Sequence, residues 1–237
     1  MRATRASFAT LTGLLAMVLA GPGCGGSDNG MMDMMGKGCE DGITASKNDF
    51  FPLIVGNVWQ YLVTYEDQST GMKRVELIEE MTPAGESAPV VVQRTTKPEG
   101  VTVSWLRQEG DRIIRLRQED YDPSMVLERT TIYDPPVTRF DGSAASIAMD
   151  AMFSETYTRT VTDAASMQTV TTITDSTTVL GVDVECNAGW GKLTCLHIKE
   201  TRVTGGVSSK DFFFARGYGK IVETGGQSEQ LVGCTLK

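Results

Sequence analysis

Trp59-Gln60-Tyr61-Leu62-Val63-Thr64-Tyr65 decides the fold: Trp59, Tyr61, Val63 and Tyr65 share one side of an extended chain, with Gln60 and Thr64 on the other. Successive strand side chains point to opposite faces, so this alternation marks a half-buried β-strand and not a helix. Gln68-Ser69-Thr70-Gly71 then supplies turn chemistry, and residues 73–81 resume the pattern, which predicts a hairpin.

The same rhythm continues downstream. Strands are predicted over residues 90–95, 101–108, 112–118 and 125–133, with a Pro/Gly/Ser loop over residues 83–89. Leu106-Arg107-Gln108-Glu109 and Leu116-Arg117-Gln118-Glu119 echo each other around Gly110-Asp111, which reads as one hairpin; two copies are too few for a repeat architecture. Asp134-Pro135-Pro136 is expected to break the sheet, because proline donates nothing to a ladder. Residues 143–152 allow a short helix capped by Asp141 or Ser143, or else a loop. Thr156, Thr158, Thr160 and Thr162 recur at period two and read as a solvated sheet face, since the later threonines lose the spacing a binding ladder needs. Residues 193–203 and 207–214 flank Thr204-Gly205-Gly206, a hairpin signal, and residues 220–223 and 229–234 close the chain around Gly225-Gly226. The fold class that follows is mainly β: a single antiparallel twisted sheet, half-barrel or sandwich over residues 48–237, with at most one or two short helices.

Upstream of this domain, Arg2 and Arg5 precede an apolar run over residues 8–20, the layout of a signal peptide. The run is about 13 residues, short of the roughly 20 a helix needs to cross a bilayer. Gly21-Pro22-Gly23-Cys24 places small residues ahead of a cysteine, and this resembles the lipobox of bacterial lipoproteins. The resemblance implies that residues 1–23 are removed and that Cys24 carries acyl chains; the alternative is an ordinary signal peptide that leaves Cys24 a plain thiol. Residues 24–47, rich in Gly and Met, read as a flexible tether. Loss of Arg2 and Arg5 with the leader moves the net charge from −8 to −10. Such an acidic chain suits neither nucleic acid nor anionic headgroups.

With Cys24 lipidated, Cys39, Cys186, Cys195 and Cys234 remain, an even number suited to an oxidising compartment. Three pairings are open. Cys186 with Cys195, closing a turn around Asn187-Ala188-Gly189-Trp190-Gly191, and Cys39 with Cys234, tying the domain's ends, are favoured. The four cysteines contain no C-x-x-C pair of the kind structural zinc prefers.

Two blocks carry a wider resemblance. Phe51-Pro52-Leu53-x-x-Gly56-Asn57-x-Trp59-x-Tyr61 and Phe214-Ala215-Arg216-Gly217-x-Gly219-Lys220-x-Val222 look like the opening and closing strands of uncharacterised bacterial secreted lipoproteins. The resemblance implies a twisted antiparallel sheet, similar to the half-barrels of lipoprotein carriers and glycolipid-binding lipoproteins. It brings no catalytic residues.

Candidate chemistry is sparse. His197 is the sole histidine, without a second ligand or a serine elbow, and reads as a packed or edge residue. No G-x-S-x-G, H-E-x-x-H or P-loop occurs, so no catalytic residue, resident metal or cofactor is expected, and an enzyme is not. Glu79-Glu80 and Glu119-Asp120 place neighbouring acids on opposite strand faces and read as solvated surface. Met31, Met32, Met34 and Met35 form a thioether cluster able to hold Cu(I), with a plain tether as the alternative. Trp59, Tyr61, Trp105 and Phe213 are the candidate apolar ligand face, or else core. The expectation is a lipid-anchored binding or scaffolding module of the bacterial envelope, at the outer membrane and facing the periplasm or exterior. Its partners are the membrane through the anchor and a hydrophobic ligand or another envelope protein; the alternatives are an acyl-chain or lipoprotein carrier and a Cu(I) binder.

Overall fold

The computed structural model describes residues 38–40, 49–83 and 87–237. Its strands are β1 (Gly38–Glu40), β2 (Val58–Thr64), β3 (Thr70–Met81), β4 (Val90–Lys97), β5 (Gly100–Glu109), β6 (Arg112–Tyr121), β7 (Leu127–Asp141), β8 (Met152–Asp163), β9 (Gln168–Ala188), β10 (Gly191–Val203), β11 (Val207–Ala215), β12 (Gly219–Thr224) and β13 (Ser228–Thr235). From β2 to β13 each strand pairs antiparallel with its sequence neighbours, and β13 also pairs with β2 from Ser228↔Thr64 to Thr235↔Val58. The expected open sheet, half-barrel or sandwich is therefore corrected to a closed antiparallel barrel of twelve strands. β1, within the expected tether, lies parallel to the last residues of β13 with Cys39 opposite Cys234. The remaining expectations for residues 1–37 and 41–47 fall outside the described residues.

Closure needs bent strands. Register shifts interrupt the β3–β4, β5–β6, β6–β7, β9–β10, β11–β12 and β13–β2 ladders, and such bulges increase local twist and curvature. One of them explains a corrected expectation, because β7 runs straight through Asp134-Pro135-Pro136. The prolines sit where the β6–β7 ladder skips from Arg117↔Ile132 to Arg115↔Val137 and where the β7–β8 ladder stops, so no ladder donor is lost. The helix allowed at residues 143–152 is also absent among the described residues. Asp141 does cap Ser143 N and Ser146 Oγ, but only a single turn follows before Asp150 N donates to Val179 O and Val179 N donates to Ala151 O.

Antiparallel order sorts the connections into two ends. The β2–β3, β4–β5, β6–β7, β8–β9, β10–β11 and β12–β13 turns form a rim, and the β5–β6, β7–β8, β9–β10 and β11–β12 connections form the base. Two rim turns share one device: Asp122 Oδ1 accepts from Ser124 N and Val126 N, and Asp163 Oδ1 accepts from Ala165 N and Met167 N.

Residues 49–57 cross the base and seal it. Gly217 N donates to Asp49 O, Phe50 is buried beside Phe140, and Gly56 N donates to Leu77 O. Asn57, wholly buried, donates to Pro52 O and accepts from Lys237 N, so one amide ties this segment to the C-terminal residues. The two sequence blocks that resemble bacterial lipoproteins are neighbours here: Trp59 Nε1 donates to Tyr218 O at 2.6 Å, and Tyr61 Oη donates to Lys220 O at 3.0 Å. Gly219 is required at this seam by its φ of 85°.

Two disulfides, Cys39–Cys234 and Cys186–Cys195, complete the frame. The second stiffens the long β9–β10 ribbon, whose tip docks through Gly189 N on Leu231 O, with Trp190 packed over Gly38.

Candidate functional site

An eight-stranded barrel is about filled by its own side chains; twelve strands leave room. The lumen here is a cavity of about 440 Å³ that reaches from Lys97 and Gln227 near the rim to Phe51 and Phe140 at the base. Seven basic and six acidic side chains line it, so the wall is slightly positive inside a protein of net charge −8. Outward positions of the same strands are also polar: Arg74 and Glu76 alternate with the lining residues Lys73 and Val75. Alternation therefore separates two polar faces in much of the barrel, with apolar packing concentrated at the base.

The lumen floor is aromatic. Phe140 is the hub, with ring centroids 6.4 Å from Phe51 and 5.0 Å from Phe214, which in turn lies 6.1 Å from Phe212. Phe50, Leu106, Ile113, Leu196 and Ile198 pack in the same cluster and hold the rings in place. Trp59 and Tyr61 form the adjoining wall.

Above the floor, one side of the lumen carries an ammonium–carboxylate chain. Glu229, 2 % exposed, accepts from Lys73 Nζ at 2.6 Å and Lys220 Nζ at 2.7 Å. Glu223 accepts from Lys220 and Lys210. Burial alone would raise both carboxyls, but the facing ammonium groups win and hold Glu223 and Glu229 below the usual carboxylate range. Lys220, between the two carboxylates, is held above its ordinary value despite its burial. Among the described residues Lys73 pairs directly with Glu229 alone and faces Lys220, so burial and that like charge lower it to about 7. Both ammonium groups also lie over the Tyr61 ring, at 5.4 and 5.1 Å.

Across the lumen lies a guanidinium group of sites. Arg202 is fully engaged: Nε and Nη2 donate to the two Asp175 oxygens at 2.8 and 2.7 Å, and Tyr157 Oη donates to the same carboxylate at 2.8 Å. Arg115 is different. It donates through Nη1 to Gln118 Oε1 at 2.6 Å and lies over the Tyr133 ring, while its Nε is buried without a partner. Its surroundings supply Arg139 and Arg202 as like charges, and burial followed by Arg139 lowers it to about 10.

The barrel wall is incomplete beside this group. The β7–β8 ladder holds from Arg129↔Asp163 to Asp134↔Thr158 and then ends. Beyond it a side chain replaces the ladder: Glu155 Oε1 accepts from Thr138 N at 2.9 Å and Oε2 from Thr138 Oγ1 at 2.7 Å. Thr138, Arg139, Phe153 and Glu155 line both this interruption and the lumen.

The residues singled out from the sequence scatter. Trp59 and Tyr61 line the lumen, but Trp105 and Phe213 do not share that wall. Ser104 and Leu106, then Phe212 and Phe214, face inward, which turns Trp105 towards Arg117 and Phe213 onto the His197 ring outside. His197 Nε2 lies 2.9 Å from Asp211 Oδ1 on that outer face. Glu119 and Asp120, read as solvated, are buried by partners: Asp120 accepts from Arg129 and Thr102, and Glu119 from Arg117 and Tyr121. Cys24 and Met31, Met32, Met34 and Met35 lie outside the described residues, among which no cluster of His, Cys, Asp and Glu suits a metal ion. Sequence reasoning missed Lys73, Arg115, Glu223 and Glu229. The available signal was period-two mixing of charge with aromatics, as in Lys210-x-Phe212-x-Phe214.

No family model and no curated protein sequence matches this chain. The fold is similar to that of a solved Bacteroides fragilis protein, provisionally described as exported and of YmcC-like fold. The two share 10 % identity at a TM-score of 0.50, over 78 % of this chain and 98 % of the other. At that identity the likeness defines the class of architecture alone, a closed antiparallel barrel.

Proposed function

We propose that this protein is an extracytoplasmic binding module of the bacterial envelope, carried on an acyl anchor at Cys24, whose barrel lumen holds a small molecule. The observation that carries the reading is the 440 Å³ lumen lined by Arg115, a guanidinium whose Nε is buried without a hydrogen-bond partner. Ligand sites are concave, of about 300–1,000 Å³, with an apolar surface and a few converging polar groups. A barrel built only to scaffold gains nothing from an uncompensated buried charge. Export is supported by the leader pattern, by two disulfides and by the exported neighbour of the same fold. The mixed wall favours an amphiphile over the neutral acyl chain of the alternative carrier reading.

Native mass spectrometry of protein extracted gently from its own cells tests this: a retained small-molecule mass is expected, and a lumen holding only water would favour the scaffold. Fatty-acid labelling of the wild type against Cys24→Ser tests the anchor, and undiminished incorporation in the variant would remove it.

A further inference from the structure

We infer that the lumen is a site for an anionic amphiphile, one carboxylate or phosphate group seated on Arg115 and Arg139 and its apolar body on the Phe140 floor. The inference rests on the lumen-binding reading above and adds the ligand's chemistry.

Three observations converge. Among the lumen cations, Lys73, Lys210, Lys220 and Arg202 each have a carboxylate within 4 Å, whereas no carboxylate partner is seen for Arg115 among the described residues. A guanidinium presents five donors in a planar fork, matched to a carboxylate or phosphate; here Nη1 is bonded to Gln118 Oε1 and the buried Nε has no partner. Arg139 lines the same cavity and acts on Arg115 as a like charge, and among the described residues neither has a carboxylate partner. An anion placed there relieves both the repulsion and the missing bond, a larger gain in an enclosed site than in water.

The apolar half follows from register. Arg115 lies opposite Val137, and Phe140 opposite Ile113, two residues nearer the base. At a strand rise of about 3.3 Å per residue, the ring floor begins roughly 7 Å below the guanidinium. A head group on Arg115 thus has Phe140, Phe212 and Phe214 within reach of a chain of a few carbons, and Phe153 and Glu155 mark the interrupted β7–β8 wall beside it. A purely ionic ligand would leave those rings idle, and a neutral chain would leave Arg115 unmatched.

The test uses the full chain with Cys24→Ser, titrated calorimetrically with octanoate, octyl phosphate and octanol below their micelle concentrations. The anions are expected to bind at least 10-fold more tightly than octanol, and Arg115→Met to erase that preference, a loss of about 10- to 100-fold, while leaving octanol unchanged. Arg139→Gln should weaken both anions with a smaller factor, and octanoate against octyl phosphate distinguishes carboxylate from phosphate as the head group. Because Arg115 is a poorly matched charge among its protein neighbours, Arg115→Met should not lower the thermal midpoint; a large fall with anion preference intact would assign Arg115 a structural role and overturn the site. Equal binding of all three probes would overturn the anion class while sparing the lumen reading. No binding of any probe, together with no retained mass in the native protein, would end both.

Discussion

Replacing Glu229 with Gln keeps the shape of a side chain that is 2 % exposed and removes the charge shared by Lys73 and Lys220. Gln retains one acceptor, so the hydrogen-bond count barely changes; the electrostatics do. Two ammonium groups would then face each other with Glu223 as their only nearby carboxylate. Removing one partner of a buried ion pair costs about 3–5 kcal/mol, since the surviving charge stays desolvated. For a domain of this size about 1 kcal/mol corresponds to 2–4 °C, so the thermal midpoint should fall by about 10 °C. Urea unfolding at pH 7, followed by tryptophan fluorescence, measures the loss directly. Lys73 carries the check on cause. In Glu229→Gln its amine loses that carboxylate and prefers the neutral form, so the penalty should shrink as pH rises through the wild-type Lys73 value of about 7, from about 6 to 8. Adding Lys73→Met should likewise recover part of it in a double-mutant cycle. A loss below about 1 kcal/mol, or one that does not vary with pH, would refute the reasoning.

The same groups set the wild-type pH response. Glu223 and Glu229 titrate lower in the folded chain than in the unfolded, so their contribution is complete above the unfolded carboxylate value of 4.5 and drains away as pH falls below it; stability measured from pH 6 to 3 should decline along that range. Lys73 shifts in the same direction, its folded value of about 7 lying below the ordinary 10.5, so its charged form costs stability at low pH and stability should rise again as pH climbs between those two values. Opening Cys39–Cys234 with a double Ser substitution releases a loop of 195 residues, which the chain-entropy model rates at about 5 kcal/mol, and a loss under about 1 kcal/mol would show that the C-terminal contacts alone hold that end. Glu155→Ala removes the acceptor of Thr138 N, and hydrogen exchange at that amide should accelerate without a matching change at Ile132, whose neighbours lie within the intact β7–β8 ladder; unchanged protection at Thr138 would mean that this part of the wall does not depend on the side chain.

Local chemistry was open to reading from the residues alone. Trp59, Tyr61 and Val63 alternate with Gln60 and Leu62, and β2 forms there as read. Gly205-Gly206 and Gly225-Gly226 turn the chain where expected, because left-handed backbone at a hairpin favours glycine wherever the strands go. The favoured cysteine pairs meet in space. Strand and turn depend on neighbours within a few positions, and that information is linear.

Closure was not linear. Whether β13 meets β2 depends on accumulated twist, six interrupted ladders and the fit of residues 49–57 across the base, none of which any short segment encodes. The lumen was hidden for a related reason. Period two says that Phe212 and Phe213 face opposite ways, but where both faces carry charge it does not say which way is in. Only the closed ring puts Phe212 on the floor and Phe213 outside, and brings Arg115 to the lumen with no carboxylate partner among the described residues. Sequence by itself determined the β class and the hairpins, because these obey local sterics, and it left three cysteine pairings open. The tertiary structure decided the barrel and its polar interior, because these depend on which distant edges find each other.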